Sequence, residues 1–276
     1  MQTKILFLLL GFILFLVSCH QIKTDNNVNP MQIRVDFKAL ASDASIQGSI
    51  LVYDLNKNSF YANDFNWAST GRIPASTFKI PHSLIALELG IAKDENSVFK
   101  WDGAKRAYKI WQQDLTFKQA LHYSCVPCYQ EIAGIVGVKR MKEFVHKFNY
   151  GVMDINVNNI DDFWLTGDSK INQFEQIDFL KRLYLSQLPI SHRTERIFKH
   201  MFITQQTDKN TLRAKTGLAV NGGKYNGWYV GYLETVDNVY FFATNISPKQ
   251  NHDNSFNNKR KSITIKALNQ LGFINQ

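Results

Sequence analysis

Ser76 and Lys79 stand three residues apart in the segment Pro74-Ala75-Ser76-Thr77-Phe78-Lys79-Ile80-Pro81. A serine hydroxyl is a weak nucleophile until a base takes its proton, and an amine one helical turn away can be that base. The surrounding spacing predicts such a turn: Ile80, Leu84, Leu87 and Ile91 recur at helical intervals, with Gly90 near the end. Residues three apart on a helix share a face. A helix beginning at Ser76 would also aim its first N–H groups at charge developing on the attacked carbonyl. Hydroxyl, base and oxyanion donors would then come from one turn of chain. Pro81 is expected to remove a helix hydrogen bond just past it, an irregularity of the kind functional sites tolerate. Ser-x-x-Lys alone is short enough to arise by chance, so its company matters.

That company is Ser124-Cys125-Val126, then Lys215-Thr216-Gly217 at the end of a predicted strand, then Arg260 opening a predicted final helix. Singly, Ser124 reads as a helix cap, Lys215 as a solvated strand lysine and Arg260 as part of the surface run Lys259-Arg260-Lys261. Together and in this order they are far less accidental. A Lys-Thr-Gly on an edge strand offers an ammonium, a hydroxyl and an approachable backbone, which suit a carboxylate lying antiparallel to the strand.

The elements that must position these residues fall in three blocks. Gln47 to Asn63 reads as a β-hairpin with its turn at residues 54–58. From Ser76 to about Gln205 the periodic segments are helical, among them Thr116 to His122, Pro127 to Val136, and Lys139 to Phe148, the last closed by Asn149-Tyr150-Gly151. Strands return at Leu212 to Thr216, Gly227 to Thr235 and Val239 to Ser247, before an amphipathic helix from about Lys259 to Leu271 that turns Ile263, Ala267, Leu268 and Leu271 inward. This order predicts an α/β (α+β) fold: an antiparallel sheet of five to seven strands built from both chain ends, flanked by helices, with a helical subdomain inserted at about 65–205. A site belongs in the cleft between the parts.

At 276 residues, the chain can bury one large core or two closely packed subdomains, and we read one catalytic unit over 33–276. Residues 1–18 read as a signal peptide: Lys4 precedes the uncharged apolar run Ile5 to Val17, too short for a comfortable membrane span. Leu16-Val17-Ser18-Cys19 resembles the bacterial lipobox, which would make Cys19 a lipid anchor, with 19–32 as a polar tether; cleavage by ordinary signal peptidase is the alternative. An exported, periplasmic protein, soluble or membrane-anchored, is expected. Cys125 and Cys128 then form a Cys-x-x-Cys pair in an oxidising compartment, either two small buried thiols or one local disulfide. No βαβ context supports a redox motif, two cysteines cannot make a four-ligand zinc site, and no metal is expected. The formal charge of +9 falls to +8 when Lys4 leaves with the leader, 31 basic residues then facing 23 acidic ones. The basic residues are scattered among acidic ones, so we expect no nucleic-acid partner; small anionic substrates suit the balance better.

With these motifs in hand, the chain resembles the class D serine β-lactamases, the oxacillinases, from about Gln47 to its C-terminus. The resemblance rests on Ser76-Thr77-Phe78-Lys79, Ser124-x-Val126, Tyr150-Gly151, Trp164, Lys215-Thr216-Gly217 and Arg260, with Trp101-Asp102-Gly103 as family-like context. Class A enzymes and many penicillin-binding proteins would carry Ser-Asp-Asn in place of Ser-Cys-Val. The resemblance implies the serine β-lactamase and penicillin-binding-protein fold, a small-molecule β-lactam substrate, and acyl transfer in two steps. Ser76 would be the nucleophile, the backbone N–H groups of Ser76 and Leu218 the oxyanion hole, and Ser124 a proton relay. Lys215, Thr216, Gly217 and Arg260 would hold the substrate carboxylate, with Trp111 and Tyr150 also in substrate binding. Lys79 would react with CO2, the only accessory the family needs, to become N6-carboxylysine and serve as general base. Phe78, Val126 and Trp164 would enclose it, depressing the amine's pKa, with the Trp164 indole N–H as donor to the anion.

Two departures from the family pattern stand out. Tyr-Gly-Asn, common in the family, is here Tyr150-Gly151-Val152, and Cys125 lies between Ser124 and Val126. The alternatives to a hydrolytic enzyme are a β-lactam sensor that is acylated without turnover, and a peptidoglycan transpeptidase or carboxypeptidase.

Overall fold

In the computed structural model of the protein, which describes residues 29–249 and 255–274, both ends of the chain contribute to one seven-stranded sheet. β1 (Met31–Arg34), the short helix α1 (Lys38–Ala41), β2 (Ile46–Asp54) and β3 (Ser59–Ala62) come from the first part. The helical stretch that follows holds α2 (Phe65–Ser69), α3 (Lys79–Glu88), the two-residue strands β4 (Val98–Phe99) and β5 (Leu115–Thr116), α4 (Phe117–His122), α5 (Val126–Phe148), α6 (Gln173–Tyr184) and α7 (His192–Met201). β6 (Ile203–Gln206), β7 (Thr211–Asn221), β8 (Lys224–Glu234), β9 (Val239–Pro248) and α8 (Phe256–Gln270) complete the order. The strands lie as β1-β3-β2-β9-β8-β7-β6, so the antiparallel pairing of β2 with β9 joins the two ends of the chain.

Alternate residues of each central strand enter different cores. Leu51, Tyr53, Trp228, Val230, Tyr232, Phe241 and Ala243 face the helical insert, whereas Ile50, Val52, Tyr229, Leu233, Phe242 and Ile246 face α1 and α8. A sheet covered on both faces has no use for polar alternation. Accordingly β8 runs without a charged or amide side chain from Gly227 to Leu233, all of it buried.

Three expectations are corrected. The sheet is not wholly antiparallel, because β1 pairs parallel with β3, Met31 opposite Ser59. That strand begins within the stretch expected as tether. β1 and the other outer strand, β6, are short and mostly exposed; β1 alternates Met31 and Ile33 with polar residues over only four positions, and β6 has a single apolar residue, Ile203. The final helix starts at Phe256, which puts Arg260 in its second turn, with Leu271 half-buried just beyond its end. The two helices expected at 127–136 and 139–148 are both present within α5, meeting at a kink at Gly137, whose φ of 73° suits glycine. The leader, Cys19 and the tether up to residue 28 lie outside the described residues.

Candidate active site

Ser76 sits in a 3-10 turn, Ala75–Phe78, that feeds α3, rather than at the first residue of a regular helix. Pro81 therefore falls in the first turn of α3, where a missing N–H is tolerated, and the expected cost is avoided. Ala75 takes a left-handed φ of 52°, which persists only where the surroundings hold it. Those surroundings are specific. The Ile73 carbonyl accepts the Trp228 indole N–H and the Asn226 amide, each at 2.8 Å, which ties the entrance of the turn to β8. The Pro74 carbonyl accepts the Thr77 hydroxyl at 2.7 Å, and Thr77 accepts the Gln176 amide at 2.8 Å. Tyr150 donates its phenol to the other end of Gln176 at 3.1 Å. β7 passes alongside: a Cβ on Gly217 would lie 3.1 Å from the Pro74 oxygen and 3.3 Å from the Thr77 nitrogen, tighter than side chains usually pack. Leu218 is the next residue of that strand and is half-buried.

Lys79 is fully buried, and its Nζ donates to Ser76 Oγ at 3.2 Å. Phe78 stacks on Trp164 and meets Phe163 edge-on, and the Tyr129 ring centroid lies 5.0 Å from Nζ. No carboxylate among the described residues is in ion-pair contact with Lys79. Burial in this setting pushes its ammonium well below the usual range, and the Lys215 charge adds to the effect, so the neutral amine is favoured. The Trp164 indole N–H, fully buried in the ring cluster of Phe78, His82 and Phe163, has no acceptor among the described residues. Leaving such a donor unpaired costs about 1–3 kcal/mol. A neutral amine and an orphaned donor, both buried, fit an anionic group carried on the lysine.

The second pair is assembled from distant parts of the chain. Ser124 occupies the turn between α4 and α5 at a left-handed φ of 53°, and its hydroxyl accepts from Lys215 Nζ across 91 residues. Lys215 also donates to the Thr216 carbonyl at 3.1 Å. Burial, then the Arg260 charge, pushes its ammonium down to about 7. Arg260 is itself buried, donates from Nη1 to the Gly217 carbonyl, and reaches the Asn257 carbonyl with Nε and Nη2 at 3.2 and 3.1 Å. Neither cation has a carboxylate partner among the described residues. Three buried basic side chains without a counter-ion are costly, and an anion arriving from outside would relieve that cost.

Cys125 and Cys128 are joined as a disulfide, which decides between the two expected states. It lies at the start of α5, where the Cys125 sulfur also accepts the Cys128 N–H at 3.2 Å.

The structure thus brings Ser76, Lys79, Phe78 and Trp164 together, and Ser124 with Lys215, Thr216, Gly217 and Arg260. One residue differs from expectation, and the surroundings of two others become defined. Tyr150, expected to bind substrate, is wholly buried with its hydroxyl spent on Gln176, so it positions the Ser76 turn instead. Trp111 is half-buried and donates its indole N–H to the Tyr123 carbonyl at 2.9 Å, bracing the residue before Ser124. Val126, expected to enclose Lys79, is half-buried at the first residue of α5, while Tyr129, one turn later, supplies a ring against the amine. Val152, where the family pattern has an amide, turns its side chain to solvent and pairs with Lys170 through backbone alone. Sequence reasoning missed His82, Tyr129, Phe163 and Gln176. The first two were reachable, since they lie three residues from Lys79 and Val126 on their helices; Gln176 carries no local sign.

Comparison with known proteins agrees with this geometry. Residues 44–269 match the penicillin binding protein transpeptidase domain. The chain is 42% identical over 224 residues to beta-lactamase OXA-48 of Klebsiella pneumoniae, covering 81% of this chain and 83% of that protein. It is similar to the crystal structure of a class D beta-lactamase from Sebaldella termitidis, with a TM-score of 0.85 and 38% identity over 90% of this chain and 100% of the other. For the class D YbXI beta-lactamase from Nostoc the TM-score is 0.80 at 40% identity, covering 83% and 95%.

Proposed function

This chain belongs to the class D serine β-lactamases, and we propose that it opens the amide of penicillins and related β-lactams through an acyl-enzyme on Ser76, with N-carboxylated Lys79 as general base. The observation that carries this reading is the buried Ser76–Lys79 pair, 3.2 Å apart, with the unpaired Trp164 indole N–H in the ring cluster that Phe78 and His82 form around the same turn of chain.

The Lys79 nitrogen would bond to the carbon of CO2 and lose one proton to solvent, and the Trp164 N–H would hold the anion so formed. Carried on Lys79, this group supplies a negatively charged proton acceptor, first for the Ser76 hydroxyl and later for the deacylating water. Ser76 Oγ attacks the lactam carbonyl carbon. The backbone N–H groups of Ser76 and Leu218 stabilise the oxyanion, where losing one donor costs about 10²–10³ in rate. The ring C–N bond then breaks, and the nitrogen takes a proton relayed by Ser124 from Lys215. Lys215, Thr216 and Arg260 hold the substrate carboxylate, which becomes the counter-ion these cations lack. Trp111, braced against the turn that carries Ser124, walls the substrate side.

Purified protein mixed with a chromogenic cephalosporin tests the reading. Steady turnover that rises with added bicarbonate and falls in mildly acidic, CO2-depleted buffer is expected. A single stoichiometric burst would favour a sensor or a peptidoglycan-processing enzyme, and indifference to bicarbonate would remove the carbamate. The same reading makes the enzyme an exported protein with Cys19 as lipid acceptor, and the Cys125–Cys128 disulfide supports an oxidising compartment. Cells fed a labelled fatty acid should yield labelled protein, and Cys19→Ala should not be labelled.

A further inference from the structure

His82 follows Lys79 by one turn of α3 and is buried to the last atom, yet among the described residues neither ring nitrogen has a hydrogen-bond partner. Its ring meets Trp164 edge-to-face with centroids 4.6 Å apart, and lies 4.5 Å from Phe78 and 5.8 Å from Tyr129. The Tyr129 ring in turn lies 5.0 Å from the Lys79 amine. Three polar atoms, the two imidazole nitrogens and the Trp164 indole nitrogen, are therefore orphaned in one aromatic chamber. Buried polar atoms without partners are rare in folded proteins, and a cluster of them marks a place built for a group that the polypeptide alone does not supply.

We propose that His82 is a positioning residue for the carboxyl group on Lys79, its neutral imidazole donating an N–H to that anion alongside the Trp164 indole. The inference rests on the carbamate reading above and extends it to a residue the motifs do not include. The chamber favours the neutral ring, because burial holds the His82 pKa well below its ordinary value. A neutral imidazole retains one N–H and one lone pair, so a donor remains for the anion, and a water O–H can satisfy the lone pair. Two donors from two elements, α3 and the irregular segment carrying Trp164, would fix the plane of the group and make CO2 harder to lose. A histidine serving only as core packing would be served as well by phenylalanine, without orphaned nitrogens.

The test compares wild type, His82→Phe and His82→Asn, each equilibrated with 13C-bicarbonate, with Lys79→Ala as the blank. The 13C carbamate resonance is followed by NMR across a bicarbonate titration. His82→Phe is expected to need about tenfold more bicarbonate for half-occupancy, the loss of one hydrogen bond to a charged group. His82→Asn, which keeps an N–H donor, should recover most of the difference. Equal bicarbonate affinity in wild type and His82→Phe would overturn the proposal while leaving the carbamate in place. An unlabelled wild type would overturn both. If His82→Phe fails to fold, His82→Leu replaces it in the same titration.

Discussion

The site contains two serine–lysine pairs, alike in chemistry and opposite in environment. Ser76 and Lys79 are neighbours along one turn of chain, and the lysine is surrounded by aromatic rings. Ser124 and Lys215 meet across 91 residues, and the lysine keeps polar company in the Thr216 carbonyl and the nearby Arg260 charge. The first amine is held far down its titration range, whereas the second is brought to about 7. Burial among rings therefore makes Lys79 an uncharged amine able to bond CO2. Lys215 can carry or release a proton near neutrality, which suits a relay to the leaving nitrogen and an anchor for a carboxylate.

Removing the first lysine should do the most damage. Lys79→Ala is expected to lower kcat by about 10³-fold or more with a native circular dichroism spectrum, while the acyl-enzyme accumulates in the mass spectrum. A variant that turns over normally would erase the distinction between the two pairs.

Lys215→Ala should lower kcat/KM by about 10²-fold. Because kcat/KM reports free-enzyme groups, its wild-type value should decline as pH rises past about 7 and the ammonium is lost. Lys215→Arg, which stays protonated, should flatten that limb; parallel profiles would show that Lys215 does not titrate in this step. The same shift has a stability consequence. Between about 7 and the ordinary 10.5 the unfolded chain holds a proton that the folded protein does not, so stability rises with pH across this window. Below pH 7 the full cost of burying the ammonium remains. Lys215→Met should therefore gain on the order of 3–5 kcal/mol over wild type at pH 6, with the gap closing toward pH 10 in urea titrations. A gap independent of pH would contradict the depressed value.

Arg260→Ala should raise KM about tenfold with a smaller change in kcat, as expected for lost ground-state binding of a carboxylate. The smallest effect belongs to the scaffold of the first pair. Tyr150→Phe should cost about 1 kcal/mol in thermal stability, with only a few-fold loss in kcat, because Thr77 keeps its bonds to Gln176 and Pro74. A loss approaching that of Lys79→Ala would make Tyr150 a direct participant.

Much of this could be read from the sequence where the signal is local. Residues three apart share a helix face whatever the rest of the chain does, so Ser76 and Lys79 were paired from spacing alone. Short aromatic-rich and β-branched runs bounded by turn residues marked the hairpin and the last three strands, and the apolar stripe marked α8. The motifs in order carried the membership of Ser124, Lys215 and Arg260 in one site. The outer strand β6 escaped because its pairing is made by backbone groups and leaves no side-chain pattern, whereas β1 carries a short alternation of Met31 and Ile33 that merges with the polar stretch before it.

What the sequence by itself determined, then, is the set of reactive groups and the turn that couples Ser76 to Lys79. Only the tertiary structure decided which surroundings each lysine would have. The chamber of Phe78, His82, Tyr129, Phe163 and Trp164 draws on α3, α5 and an irregular segment, and the Tyr150–Gln176–Thr77 chain links α6 to the Ser76 turn. The state of the Cys125–Cys128 pair was decided there too. The physical reason is that desolvation and hydrogen-bond satisfaction belong to a volume of packed atoms. No local spacing in the chain encodes which distant side chains will fill that volume.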